Sequence, residues 1–173
     1  HKPLGDADQD TYTDEVRALA KDRHNNTWMG TKEGKLYCHN TKGELVVSYD
    51  RLPWGATMGP IYTITEDSQG NIWVGTKGDG VYRMTPRATG KGGYDFSHFR
   101  HSEHDPCSLS NDQIYCIAED HDGRIWFATF GGAINMLADS QSTKFYNTNW
   151  SFGSYPTQSG TRARYLLVDG PDR

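Results

Sequence analysis

The chain has 173 residues, with 18 Lys+Arg against 22 Asp+Glu and a formal net charge of -4. That balance excludes the broad basic surface that a phosphate backbone requires, so no nucleic-acid partner is expected. The length suits one ordinary domain that folds without a metal or disulfide staple, and no run approaches the ~18 apolar residues of a membrane-spanning helix.

The N-terminus, His1-Lys2-Pro3-Leu4-Gly5, lacks the apolar core of a signal peptide, as a mature or excised piece would. Residues 1–15 read as an acidic leader, either a flexible tail or the remnant of an outer strand. Within it Asp6, Asp8 and Asp10 begin like a calcium loop. Thr11 stands where that loop needs Gly and Arg17 where it needs the bidentate Glu, so the pattern fails.

From residue 16 the chain repeats itself. Leu19-Ala20-Lys21-Asp22 leads to Thr27-Trp28-Met29-Gly30-Thr31, Ile64-Thr65-Glu66-Asp67 to Ile72-Trp73-Val74-Gly75-Thr76, and Ile117-Ala118-Glu119-Asp120 to Ile125-Trp126-Phe127-Ala128-Thr129. Asp precedes Trp by six residues in every copy, and the next apolar strand residue, Leu36, Val81 or Ile134, follows Trp by eight. The copies start 45 and then 53 residues apart, the period of a four-stranded propeller blade rather than of shorter solenoid repeats. In the second copy the runs 61–65, 72–76, 81–84 and 96–99 are bounded by Gly, Asp or Pro and read as its four strands. The expected fold is all-β: a partial propeller of about three four-stranded blades, at 16–59, 60–113 and 114–163, with the first strand of a fourth at 164–173. There Tyr165-Leu166-Leu167-Val168-Asp169 looks like an inner strand, although Gly170-Pro171 departs from the turn pattern.

The turn inside each copy explains its carboxylate. Asp67-Ser68-Gln69-Gly70 and Asp120-His121-Asp122-Gly123 put Asp first and Gly fourth, the chemistry of a type I turn followed by a positive φ; the first copy substitutes Asn25. Asp22, Asp67 and Asp120 are therefore turn caps with Gly70 and Gly123 as their partners, and Trp28, Trp73 and Trp126 are blade-to-blade packing. Three blades and a strand cannot close a ring, so the open edges should be covered, by self-association with a second copy in the isolated chain. The three cysteines, Cys38, Cys107 and Cys116, contain no C-x-x-C pair and leave the redox compartment open.

The string Asp67-Ser68-Gln69-Gly70-Asn71-Ile72-Trp73-Val74-Gly75-Thr76, with a Gly-rich turn and an apolar-Tyr-Arg strand after it, resembles the regulator-propeller repeat of hybrid two-component sensors. Asp105-Pro106-Cys107-Ser108-Leu109-Ser110-Asn111-Asp112-Gln113-Ile114 is similar to that family's blade-opening loop. The similar segments cover about residues 16–147, with Asn25 and Thr27 departing in the first copy and Ala128 replacing Gly in the third. The resemblance implies tandem seven-bladed propellers in the periplasm, sensing a ligand that is often a glycan fragment and signalling to a cytoplasmic histidine kinase. It implies no catalytic motif and no cofactor.

Alternating strand directions put the blade connectors and the second-to-third-strand turns on one face. The connectors 50–60, 100–113 and 147–164 carry Arg51, Trp54, His101, His104, Trp150 and Tyr155, groups that stack on and orient sugars or other small polar ligands. His98, His101, His104 and Cys107, with Glu103 and Asp105 between them, have the residue types of a zinc site. They read instead as a strand end and a loop, and no metal is expected. A propeller lyase or glycosidase and a protein-interaction scaffold are the alternatives. The Asp-to-Trp spacing differs from that of the sialidase Asp-box, and the Trp-Asp signature of WD repeats is missing.

Overall fold

The computed structural model describes residues 14–88, 92–131 and 134–148. They form twelve strands and no helix: β1 (Val16–Lys21), β2 (Thr27–Thr31), β3 (Leu36–His39), β4 (Leu45–Tyr49), β5 (Ile61–Glu66), β6 (Ile72–Thr76), β7 (Val81–Pro86), β8 (Tyr94–Phe99), β9 (Ile114–Glu119), β10 (Ile125–Thr129), β11 (Ile134–Leu137) and β12 (Tyr146–Thr148). Each consecutive set of four is an antiparallel meander, giving three four-stranded sheets in an open propeller arrangement. The fourth inner strand expected at 164–173 lies outside the described residues.

The tight turn after each inner strand has the chemistry its sequence demands. Asn25 sits at φ 64°, Gly70 at 85° and Gly123 at 79°, so each copy puts a residue that tolerates the left-handed region where the hairpin needs it. In the second copy Asp67 Oδ1 accepts the Gln69 and Asn71 backbone N–H groups, both at 2.9 Å. Its Oδ2 accepts Asn71 Nδ2 and the Trp73 indole Nε1, both at 2.8 Å. The same indole-to-carboxylate bond recurs from Trp28 to Asp22 at 3.0 Å and from Trp126 to Asp120 at 2.8 Å. The six-residue spacing is the span of this bond, a cause the sequence pattern alone does not disclose.

The sheets pack through those tryptophans. Trp28 meets Tyr94 of the second sheet edge-on, with ring centroids 5.6 Å apart, and Trp73 meets Phe127 of the third at 5.5 Å. Both indoles are fully buried, and ~150–250 Å² of aromatic surface at ~25 cal/mol per Å² makes each worth at most about 4–6 kcal/mol. Trp126, with no fourth sheet among the described residues, is half-buried. The close approach depends on glycine. A methyl on Gly75 would lie 2.8 Å from Ile114 Cγ2 in the next sheet, and one on Gly30 would collide with Ile61 in the same way.

A second clamp fixes the seams on the face of the Asp-turns. Glu66 accepts the backbone N–H of Arg23 at 2.5 Å and its Nε at 2.7 Å, while Glu119 accepts the backbone N–H of Ser68 at 2.5 Å. From β7, Arg83 Nη1 crosses to the Ser140 and Ser142 carbonyls at 3.0 Å each, its guanidinium lying over the Trp73 and Phe99 rings. The cysteines are unpaired thiols. Burial pushes Cys38 up to about 12, which makes it an inert core residue.

Candidate functional site

The connectors and the second-to-third-strand turns share one face, as their strand directions require, and backbone hydrogen bonds stitch them together. Lys77 N donates to Pro60 O at 2.8 Å, Gly80 N to Asp112 O at 2.9 Å, and Phe130 N to Gln113 O at 3.0 Å. In the first sheet Lys32 N donates to Glu15 O at 2.8 Å, and Lys35 Nζ pairs with Asp14 at 2.7 Å. The end of the acidic leader is thus fastened to the fold. Residues 1–13, including Asp6, Asp8 and Asp10, lie outside the described residues.

On this face the connector residues separate into two groups. Arg51 is exposed and turns back to the Gly55 carbonyl at 3.1 Å. Trp54 is 54% exposed and leans edge-on against Phe96 with centroids 6.1 Å apart; its loop is anchored by buried Leu52 and Met58. His101 braces the second connector: its N–H donates to Asp112 at 2.6 Å and its Nδ1 is 2.6 Å from the Leu109 carbonyl. His104 is exposed, its backbone N–H 3.4 Å from the Ser102 hydroxyl. Trp150 and Tyr155 lie outside the described residues. The zinc-like set is not gathered. His98 stacks on Tyr82 at 4.0 Å with its Nε2 on the Asp79 carbonyl, and no three His, Cys, Asp or Glu converge as ligands among the described residues.

The sequence reading missed a different group. The register slips by one residue near the start of each inner strand, between Val16 and Ala18, between Ile61 and Thr63, and opposite Ala128 and Thr129 in the third sheet. The residues left over are Arg17, Tyr62 and Tyr115, one β-bulge at the same place in every copy. Bulges re-aim a side chain out of the alternating pattern. Tyr62 and Tyr115, from neighbouring inner strands, stack with centroids 5.7 Å apart and planes 14° from parallel. Beside them, Arg17, Lys32, Pro60, Tyr62 and Lys77 line a cleft of about 120 Å³ at the inner end of the seam between the first two sheets.

Larger hollows lie on the opposite face. One of them, about 340 Å³, runs between Ser68, Glu119, Asp122, Asp139 and Gln141. Its polar groups are already engaged in holding turns: Glu119 clamps Ser68, and Asp139 accepts the N–H groups of Gln141 and Ser142 at 2.8 Å each. The Asp120 carboxyl beside it is a structural acid. Burial alone would raise it, but hydrogen bonds from Trp126, Arg124 and two backbone N–H groups outweigh that and hold it at about 2. The inner-strand cleft differs, because Lys77 has no ion-pair partner and the Tyr62 hydroxyl no hydrogen bond among the described residues. Its donors are available to a ligand, and we take it as the candidate site.

Two stretches of the chain, residues 57–78 and 108–131, match the family model described as the two component regulator propeller. Over these stretches the chain is similar to that repeat, each match running from a connector through the inner strand to the Trp strand. No curated protein matches it significantly. Among solved structures it is similar to the extracellular domain of the putative hybrid two component system BT3049 from B. thetaiotaomicron, with 27% identity, a TM-score of 0.59, and 77% of this chain and 16% of that one covered. A virginiamycin B lyase from Staphylococcus aureus is 21% identical with a TM-score of 0.54, over 78% of this chain and 42% of that one. The Dos1 propeller is 13% identical with a TM-score of 0.60, over 79% and 36%. The last two share the fold. The chain spans about a sixth of that extracellular domain and under half of the lyase.

Proposed function

We propose that this chain is part of an extracytoplasmic sensor propeller of a hybrid two-component system, periplasmic in its parent, which binds a glycan-derived small molecule on the connector face. Signalling would pass to a histidine kinase elsewhere in the parent protein. The observation that carries this reading is the pair of regulator-propeller matches within a chain 27% identical to a sensor's extracellular domain. The site chemistry supports binding without turnover: the conspicuous carboxylates Asp22, Asp67 and Asp120 are spent on turns and indoles, while the cleft offers cations and aromatic faces. No helix among the described residues is long and apolar enough to cross a membrane. Leu19 and Val46, 66% and 52% exposed on the first sheet, are surface that a further blade or a second copy would cover.

Calorimetry with a panel of oligosaccharides, followed by product analysis of the same mixtures, tests the reading. A sensor gives stoichiometric heat and intact sugar. Cleavage products would replace it with the lyase or glycosidase reading.

A further inference from the structure

We propose that the bulge-lined cleft selects an acidic saccharide, a sugar unit carrying a carboxylate or sulfate, with Lys77 and Lys32 on the anionic group and the Tyr62–Tyr115 pair as the stacking surface. This rests on the glycan-sensing reading above and narrows it to one ligand class and one place.

Three observations converge. The first is charge: Arg17, Lys32 and Lys77 line the cleft and no carboxylate does; outside the lining, Glu15 is shared between Arg17 at 3.0 Å and Lys32 at 3.7 Å. The lining itself is cationic, in a chain whose net charge is -4. An anion is drawn to that point and away from the acidic hollow on the opposite face. The second is availability. Lys77 is held by its backbone, through the Pro60 carbonyl at 2.8 Å and a bridge to Gln113, so its exposed ammonium is positioned without being neutralised. The third is shape: two phenol rings 14° from parallel, half-buried and fixed by the bulges, expose aromatic surface of the kind on which a sugar ring lies. Cations alone would suit any anion and tyrosines alone any sugar. Their juxtaposition suits a sugar with an oxyanion, since a charge-assisted hydrogen bond adds to the stacking.

The test is calorimetry on the full 173-residue chain with digalacturonate and galactose 6-sulfate, each against its neutral counterpart, galactobiose and galactose, and with inorganic sulfate alone. At least one acidic sugar should bind about tenfold more tightly than its neutral partner, the size expected of one charge-assisted bond. Lys77→Met should remove most of that preference, and Tyr62→Leu should weaken acidic and neutral sugars alike. Lys77 is exposed, so the Met variant keeps the fold, which unchanged tryptophan fluorescence verifies. Equal binding of acidic and neutral sugars, or a preference that survives Lys77→Met, overturns the inference and leaves glycan sensing standing. Sulfate binding as tightly as the acidic sugars also overturns it, by reducing the cleft to an anion site. No heat with any of these probes overturns it too, and glycan sensing is then decided by the wider oligosaccharide panel.

Discussion

Replacing Gly75 by alanine tests how the sheets are held at their working distance. Gly75 does not need a positive φ, so an alanine backbone fits, and the only obstacle is space. The added methyl would lie 2.6 Å from Thr63 Cγ2 in its own sheet and 2.8 Å from Ile114 Cγ2 in the next. Ile114 is fully buried and cannot swing away. Overpacking of this kind costs ~1–3 kcal/mol, and the lower entropy of an unfolded chain with alanine returns ~0.4–1 kcal/mol. The net expectation is a loss of about 1–2 kcal/mol, or roughly 2–8 °C in melting temperature for a chain of this size. Urea unfolding followed by tryptophan fluorescence measures it. In an Ile114→Ala background, which alone should cost ~2–5 kcal/mol, the new methyl fills part of the vacated space and its penalty should shrink, the Thr63 contact remaining. A neutral or stabilising Gly75→Ala, or a penalty independent of residue 114, would refute the close-approach argument. Ala128 stands at the equivalent position of the third copy, where the residues expected to form the next inner strand lie outside the described residues.

Asp67→Ala removes the acceptor of four hydrogen bonds and leaves the buried Trp73 indole N–H unpaired. An unsatisfied buried donor with its lost turn should cost about 3 kcal/mol, measured by chemical denaturation, with a change in near-UV dichroism reporting the freed indole. Stability should also fall on acidification in a defined window. Asp120 is held at about 2 and Asp22 is likewise lowered by its Trp28, Asn26 and His24 bonds once they outweigh burial. Since both folded values lie below the unfolded ~3.9, their contribution is complete above about pH 4 and is lost as pH falls toward 2. Unfolding free energy measured between pH 6 and pH 2 should therefore decline below about pH 4. A flat profile there would deny these carboxylates their structural role.

The scaffold was legible because its causes are local. The Asp-to-Trp spacing, the Gly or Asn at the fourth turn position and the eight-residue step to the third strand are each set within one hairpin, and β6 runs over the expected residues 72–76. Edges were less legible: β8 begins at Tyr94 rather than Phe96 because Thr85 and Pro86 extend the ladder to Asp95 and Tyr94. The site was harder for a physical reason. Long loops with histidine and tryptophan draw notice, yet the ring of His101 is occupied in bracing its own connector. Arg17, Tyr62 and Tyr115 hide in strands whose alternation reads as ordinary inward and outward faces, since a bulge is a property of pairing and not of one strand. Setting the copies in columns would have given the signal, because all three residues follow the first apolar residue of an inner strand.

The same columns connect the fold to recognition. Gly30 and Gly75 admit Ile61 and Ile114 from the next sheet, and those isoleucines are the residues just before the bulged Tyr62 and Tyr115. The close contact that locks one sheet onto the next therefore also fixes where the following aromatic ring emerges. Columns that serve this locking carry nearly the same residue in each copy: Asp, Trp, and Gly or Ala. Columns at the cleft do not: Arg17, Tyr62 and Tyr115 share one, and Lys32, Lys77 and Phe130 another. Identical geometry with changing chemistry lets a repeat fold present a different group at each step around a common centre. Charge enters from the first two sheets and aromatic surface from the second and third, and the second sheet, through Lys77 and Tyr62, supplies both.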